Sequence, residues 1–461
     1  MSETYTLTRE IPVGDAYDLV VAGGGPAGAA AAICAARLGG KVLLVEAAGC
    51  LGGMGATGLV CAFDPMADGE KMLVGGFMRE LVETLYRRGF LKPGIDPDSW
   101  RKKYHVWTPF SAEGLKLVLD EKALEAKVEL RFFTRVIDAD TDHKKVRGIV
   151  LSSIEGYEYI RSKTFIDATG DAVLSRLCGA PCREAGIDTE HIMPSSLAAV
   201  FSNLDWSKKN PGFQNPEGVK LIEEEYEAGN FIQCDRHLVG ISQIGNSIGY
   251  LNGGHIFGLR AARVKDLTEG MLLGRRIVRD NERFLKKYSP ACADMELTAT
   301  ASVMGIRESR RIAGEYELNF DDYMARRQFP DQIGVFNKFV DIHPYDCSRE
   351  EYDRLVREAF GSDRLNPGEC FGIPYSILVP RGFENLWAAG RCASSDVKVH
   401  GSIRVMPAAA MMGQAAGTAA VLSVRTGRPA WDLDTRELVE TLREAGAYLP
   451  QRELSETMTR T

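Results

Sequence analysis

The chain has 461 residues, 45% hydrophobic and 26% charged, which is ordinary globular composition with enough length for two or three domains. A net charge of −7 lacks the basic footprint of a nucleic-acid binder and otherwise speaks to solubility. The ten cysteines are too dilute for a disulfide framework, and they form neither a CxxC pair nor a Cys/His cluster; Cys178 and Cys182 are four apart but have no companion pair. Reduced thiols in a cytoplasmic protein, with no metal site and no iron–sulfur cluster, are therefore expected. Met1 to Tyr17 mixes Glu3, Arg9, Glu10 and Asp15 without an apolar core and does not read as a signal peptide.

Tyr17 to Ala22 is a short apolar run ending in Gly23-Gly24-Gly25, Ala27 to Leu38 is an Ala-rich helix, and Lys41 to Glu46 is a second apolar strand. Strand, glycine turn, helix and strand open a parallel sheet. Val128 to Val136 reads as a further strand, and Val146–Ser153 with Tyr157–Phe165 alternate around Glu155-Gly156 as an antiparallel hairpin. Thr164 to Asp171 ends a strand in a glycine turn before a helix, with Asp171 as its candidate cap. After about residue 190, loops at Asn210-Pro211-Gly212 and Asn215-Pro216 precede amphipathic helices near 218–229 and 266–287. Glu384 to Gly390 reads as a strand returning to the first sheet. The expected organisation is a first cofactor segment 1–189, a mixed α+β substrate domain 190–380, a second cofactor segment 381–448 and a mobile polar tail 449–461. Val405 to Val424 has the length of a membrane span, but Pro407, Gly413, Gln414, Gly417 and Thr418 suit a buried helix of small residues better.

Gly23-x-Gly25-x-x-Gly28 is weak alone, yet here it follows a strand, opens a helix and precedes an acid about twenty residues on. Gly23 permits the tight turn, Gly25 lets backbone approach a pyrophosphate, and Gly28 brings helix and strand together. The helix start offers free N–H groups and a positive dipole end to phosphate. Glu46 is placed to accept hydrogen bonds from the adenosine ribose, and an acid there argues against a 2′-phosphate. A second glycine-rich stretch, Leu51 to Gly58, follows directly and implies backbone wrapping around more cofactor than a simple dehydrogenase holds.

At this point the sequence resembles the FAD-dependent oxidoreductases of the glutathione-reductase structural superfamily. Within it, the closer likeness is to a bacterial family with Gly52-Gly53-Met54 and Thr57-Gly58 after the ribose acid. Arg9-Glu10-Ile11-Pro12-Val13, the block Gly305 to Tyr316 with its Arg307-Glu308-Ser309-Arg310-Arg311 core, Ala389-Gly390-Arg391-Cys392, Ser402 to Pro407 and Gly413 to Gly417 carry the same resemblance. It implies non-covalent FAD on a Rossmann-type parallel sheet with an antiparallel hairpin. The cofactor contacts it implies are Gly23, Gly25, Pro26, Ala27, Gly28, Glu46, Ala47, Gly52, Gly53, Met54, Thr57, Gly58, Val136, Ala168, Thr169, Gly170, Gly390, Arg391, Asp396, Arg404 and Ala408. Asp396 departs from the usual Gly-Asp pair.

Pro407 suits the first turn of a helix whose start would face the flavin pyrimidine edge, with Arg404 adding a full charge. Close approach of the small residues behind it to a flat ligand is the expected reason for them. Catalytic candidates are His255, flanked by glycine, His400, Arg404 and Arg307, whose guanidinium suits a carboxylate or other oxyanion. Arg307 belongs to the middle domain, apart from Arg404, and its neighbours Glu308, Arg310 and Arg311 read as adjacent positions on a helix, where an intramolecular salt-bridge cluster is the equal alternative. There is no second GxGxxG with an acid, no short-spaced cysteine pair after Glu46 and no histidine in Gly52–Gly58. A built-in NAD(P)H domain, a disulfide centre and a histidyl-flavin bond in that loop are thereby set aside. The expected protein is an FAD oxidoreductase moving a hydride between a small organic substrate and flavin N5, most simply a substrate dehydrogenase using a separate electron acceptor or donor. Reduction of an activated double bond and flavin binding without turnover are the alternatives. No nucleic-acid or membrane partner is expected, and a homo-oligomer is left open.

Overall fold

The computed structural model describes residues 3–96, 99–100, 107–359 and 364–450. Strand β1 (Val13–Ala22), helix α1 (Pro26–Arg37) and strand β2 (Val42–Val45) form the expected opening unit. Helix α2 (Ala112–Glu125) leads to β3 (Glu129–Arg131), and β4 (Arg135–Asp142), β5 (Lys145–Ser153) and β6 (Gly156–Asp167) follow as a meander. Far along the chain, β7 (Leu386–Ala388) returns to pair parallel with Phe165–Asp167 of β6. The seven strands order as β3-β2-β1-β6-β5-β4, with β7 on β6. Pairs β1–β2, β2–β3, β1–β6 and β6–β7 are parallel, so this is a mixed α/β fold with a parallel-rich sheet.

One neighbour of β6 is exchanged for another midway along it. Its first half pairs with β5 and its last three residues with β7. Asn385 fills the junction: its Nδ2 donates to the carbonyls of Val146 and Lys163, and its Oδ1 accepts from the Val146 amide. Buried backbone groups at a strand exchange need such a partner.

The segment expected as one strand, Val128 to Val136, is two. Phe133 has φ +52°, a left-handed conformation that breaks β3 from β4, and Val136 lies on β4. The Arg307–Arg311 block is not helical either: Arg310–Ile312 is a strand antiparallel to Cys182–Glu184. The carbonyls that a helix would offer to Arg310 and Arg311 are taken, that of Ile306 by Arg391 at 2.6 Å and that of Arg307 by His400 at 3.1 Å. Asp171 does not cap a helix; Ala172 holds that position and Thr169 Oγ1 accepts from the Val173 amide.

Helix α3 (Val397–Ile403) turns through 90° into α4 (Met406–Thr426). Residues 406–423 of α4 are all buried. Its glycines face α1 rather than a ligand: a Cβ on Gly413 would lie 2.0 Å from the Ala27 carbonyl oxygen, and one on Gly417 2.2 Å from that of Ala31. Small residues here allow two backbones to touch. Among the described residues no single helix is long and apolar enough to cross a membrane.

Between β6 and β7, a four-stranded antiparallel sheet (Ala199–Ser202, Ser242–Gln243, Gly249–Leu251 and Glu296–Thr300) packs its own apolar cluster under helices Pro216–Glu227 and Val264–Tyr288. Leu318, Tyr323, Ile333, Phe336, Phe371 and Ile373, further on, instead join the main core around α1 and α4. Leu449 is buried in that core too, and the rest of the expected tail beyond Pro450 lies outside the described residues.

Candidate functional site

The glycine turn has the geometry its spacing demands. Gly23 has φ +96°, and a Cβ there would press on the Ala168 carbonyl at 2.5 Å. A Cβ on Gly28 would lie 1.8 Å from the Gly23 carbonyl oxygen, so only glycine lets α1 sit this close to β1. Gly25 differs: a Cβ there would meet nothing nearer than Gly53 Cα at 3.9 Å. Gly25 begins α1 with no side-chain cap, Pro26 occupies the first turn, and that turn contains no acid. Open space over an uncapped helix start is where a pyrophosphate fits. Glu46 turns its carboxylate to this loop, accepting from the Gly24 amide at 2.6 Å and the Ala48 amide at 2.7 Å. Exposed Ala47 lies beside it, and the Thr134 amide donates to the Glu46 carbonyl, bringing the start of β4 and hence Val136 near.

The second glycine stretch is stitched to the first. The Gly52 amide donates to the Gly24 carbonyl at 2.9 Å, and a Cβ on Gly53 would fall 2.8 Å from Gly25 Cα. Thr57 Oγ1 closes the turn on the Gly53 carbonyl, Val60 N–H donates to the Met54 carbonyl, and Gly58 folds against Met54. Gly390, at φ +77°, faces Ala27, and Ala408 is fully buried on α4 nearby. Ala168 and Gly170 flank the same turn, while Thr169 spends its hydroxyl on Asp167. These residues converge on one cradle that could hold a dinucleotide.

Two expected cofactor residues are committed to the protein itself. Arg391 donates to the carbonyls of Gly170 and Ile306 and to Asp171, which also accepts from Ser309. It therefore clamps three chain segments together behind the cradle. Asp396 caps α3 by accepting from Val399 N–H and also accepts from Phe320 N–H, both at 2.7 Å. Both of its oxygens thus hold the start of α3 to the chain at Phe320.

The catalytic candidates gather in a second place, joined by residues not singled out from the sequence. His255, 2% exposed, has Nδ1 at 3.1 Å from Asp235 and Nε2 at 2.8 Å from His343 Nδ1. His343 Nε2 lies 3.5 Å from Asp341, whose other oxygen is 3.3 Å from Arg404. His237 stacks on His255, with ring centres 5.4 Å apart. Lys338 is bound to buried Asp64 and lies 4.0 Å from Asp341. Arg404 stands at the corner between α3 and α4, and the Ser302 amide ties the chain just before Arg307 to Thr57 of the glycine loop. Arg307 is not remote from Arg404 as expected: His400, whose carbonyl accepts from the Arg404 amide one turn on, reaches the Arg307 carbonyl at 3.1 Å, and both guanidiniums act on Asp341. His400 is fully enclosed and holds the Arg307 carbonyl, so it positions that segment.

Burial opposes ionisation of Asp235, yet the His255 imidazole and its hydrogen bonds hold the carboxyl well below the usual range. Burial, with Arg307 and the other imidazoles, pushes His343 well below an ordinary histidine; burial and Arg311 do the same to His400. Burial and His255 bring His237 from 6.5 to about 4. Unfolding frees His237 to take up a proton that the folded chain refuses. Its contribution to stability is thus full above about pH 7 and drains as pH falls from 6.5 to about 4, by up to about 3 kcal/mol. Denaturant unfolding at pH 7 and pH 5 should show the loss, with His343 and His400 adding to it; equal stability at both would contradict neutral buried imidazoles.

Fold and cradle together define a dinucleotide-binding protein built on a parallel-rich α/β sheet. Residues 18–442 match the family of FAD-dependent oxidoreductases, and the chain belongs to that family. It is an FAD-dependent oxidoreductase, and FAD is its cofactor. No curated protein matches the chain. Among solved structures it is similar to a geranylgeranyl bacteriochlorophyll reductase-like protein from Thermoplasma acidophilum, 13% identical over 94% of this chain and 84% of that one, with a TM-score of 0.49. It is also similar to a flavin-dependent brominase (15% identity, 93% and 83% coverage, TM-score 0.46). A p-nitrophenol 4-monooxygenase from Pseudomonas putida is similar at 13% identity, 95% and 84% coverage and a TM-score of 0.46. Among the described residues no group of three or more His, Cys, Asp or Glu side chains is arranged to hold a metal ion.

Proposed function

We propose that this enzyme dehydrogenates a small organic substrate in the chamber around His343, and passes the electrons to a separate acceptor. FAD lies non-covalently along the cradle in a glutathione-reductase-like arrangement. Its pyrophosphate rests on Gly23–Gly28, its adenosine ribose on Glu46, and its flavin end lies toward Gly52–Gly58, Gly390 and the start of α4. Residues 1–189 and 381–448 carry the cofactor, and 190–380 cover the substrate. The observation that carries the reading is the hydrogen-bonded series Asp235–His255–His343 ending beside Asp341 and Arg404.

When bound, FAD supplies the two-electron acceptor for a hydride leaving a substrate carbon. The protein's part is the accompanying proton. His343, kept neutral, accepts a proton at Nε2, while its Nδ1 stays tied to His255 and through it to ionised Asp235. A base held in one orientation by a largely enclosed carboxylate is the arrangement general-base catalysis requires. Anaerobic screening of the yellow holoprotein for compounds that bleach its flavin tests the proposal. A bleaching compound should lose its effect in His343→Gln that still carries FAD; undiminished bleaching would reject His343 as the base.

The cofactor half is tested at Glu46. Glu46→Ala removes a charged acceptor from both ribose and loop amides, so FAD affinity should fall roughly tenfold to a hundredfold. Fluorescence titration of apoprotein measures it, and an unchanged dissociation constant would mean the acid does not face the ribose.

A further inference from the structure

The charges around His343 do not all find partners. Lys338 is paired with Asp64, Arg404 with Asp341, and Asp235 with His255. Arg307 has no such counter-charge. Only 7% exposed, it hydrogen-bonds through Nη1 alone, to the Pro194 carbonyl at 2.8 Å and Ser196 Oγ at 2.9 Å, both neutral acceptors. Arg404 is mostly enclosed, its side chain 12% exposed; its Nη2 meets Asp341, and its Nε has no partner. Burial and the neighbouring Arg404 push the Arg307 guanidinium below its usual range, the sign of a cation short of an anion. A buried charge without a partner costs free energy that a ligand can recover.

We propose that Arg307 and Arg404 form a clamp for the carboxylate of a small carboxylic-acid substrate, delivered between the two forks in front of His343. The inference rests on the reading that this chamber is where substrate meets the flavin, and it names the substrate class. The forked donors of two arginines match the two oxygens of one carboxylate. The charge balance favours a single negative charge. Of Lys338, Arg404 and Arg307, only Arg307 lacks a carboxylate partner, leaving room for one anion, whereas a doubly charged phosphate would crowd Asp341. His400 and Ser196 hold Arg307 by its carbonyl and its Nη1, leaving the rest of the fork free.

The test uses oxidised holoprotein and paired probes of equal shape: acetate and acetamide, benzoate and benzamide, succinate and succinamide. At least one carboxylate should perturb the visible flavin band, and its amide should not. Arg307→Gln should weaken that carboxylate roughly tenfold to a hundredfold, with Arg307→Lys restoring part of the loss. Arg404→Gln, checked for FAD content, gives a second reading should Arg307→Gln fail to fold. Amides binding as well as carboxylates, inorganic phosphate or sulfate binding in their place, or no carboxylate perturbing the flavin would each overturn the clamp. The two proposals fail separately. Bleaching by neutral compounds alone, dependent on His343, would leave the dehydrogenase standing without the clamp. Arginine-dependent carboxylate binding with no compound bleaching the flavin would do the reverse.

Discussion

Asp235→Asn is expected to lower turnover about a hundredfold to a thousandfold while leaving FAD content unchanged. Asp235 grips His255 twice, accepting its backbone amide at 2.7 Å through Oδ2 and facing Nδ1 at 3.1 Å through Oδ1. An asparagine can keep the backbone contact only by turning its NH2 toward Nδ1. That presents a donor where the ionised carboxylate offered an acceptor, and favours the other imidazole tautomer. Because His255 Nε2 meets His343 Nδ1 at 2.8 Å, the change is transmitted to the base. The arginines hold the substrate while Asp235 acts through His255, so KM should move less than the rate. The pH profile separates this from general damage: the acid limb of the wild-type rate should shift in the variant, because the charge behind the imidazoles has gone. The measurement is the rate of flavin reduction against pH, with the bleaching substrate identified by screening. A variant within about threefold of wild type, with the same profile, would show that Asp235 serves only the local fold.

The cofactor cradle was legible in the sequence because its determinants are local. Gly23, Gly25, Gly28 and Glu46 fall within one strand–helix–strand unit, and each glycine answers a steric demand set by its neighbours. Helices Pro216–Glu227 and Val264–Tyr288 were legible from their amphipathic period. Strand β4 was not, since Arg135-Val136-Ile137-Asp138-Ala139-Asp140-Thr141-Asp142 is an outer strand with largely solvated side chains and no apolar alternation. The arginine-rich block carried a misleading local preference, and distant Arg391 and His400 took the carbonyls a helix needs. The imidazole cluster was hardest. Asp235, His255, Asp341 and His343 come from three segments up to about a hundred residues apart, each without regular spacing. The runs Asp235-Arg236-His237 and Asp341-Ile342-His343, each setting an acid two residues before a histidine, were the available hints.

Gly413→Val should be the most damaging single change outside the two sites. Helix α4 lies on α1 so closely that even a Cβ at 413 would come within 2.0 Å of the Ala27 carbonyl oxygen, and both partners are backbone that cannot swing aside. The helices must separate, at a cost of about 1–3 kcal/mol or more for an overpacked core. The damage reaches function because Ala27 belongs to the first turn of α1, the turn proposed to hold the pyrophosphate, and because Gly390 rests on the other side of the same residue. Moving that turn displaces the amides from the phosphate oxygens and opens the contact between α1 and Gly390. The purified variant should therefore melt several degrees lower and carry little flavin, and added FAD should recover only part of the stability. Gly427→Ala is the comparison: that glycine ends α4 at φ +71° with open space around it, so alanine there should cost only the local backbone strain, about 1 kcal/mol, and leave FAD bound. Loss of flavin in Gly427→Ala but not in Gly413→Val would show that the α1–α4 contact does not hold the cradle in shape.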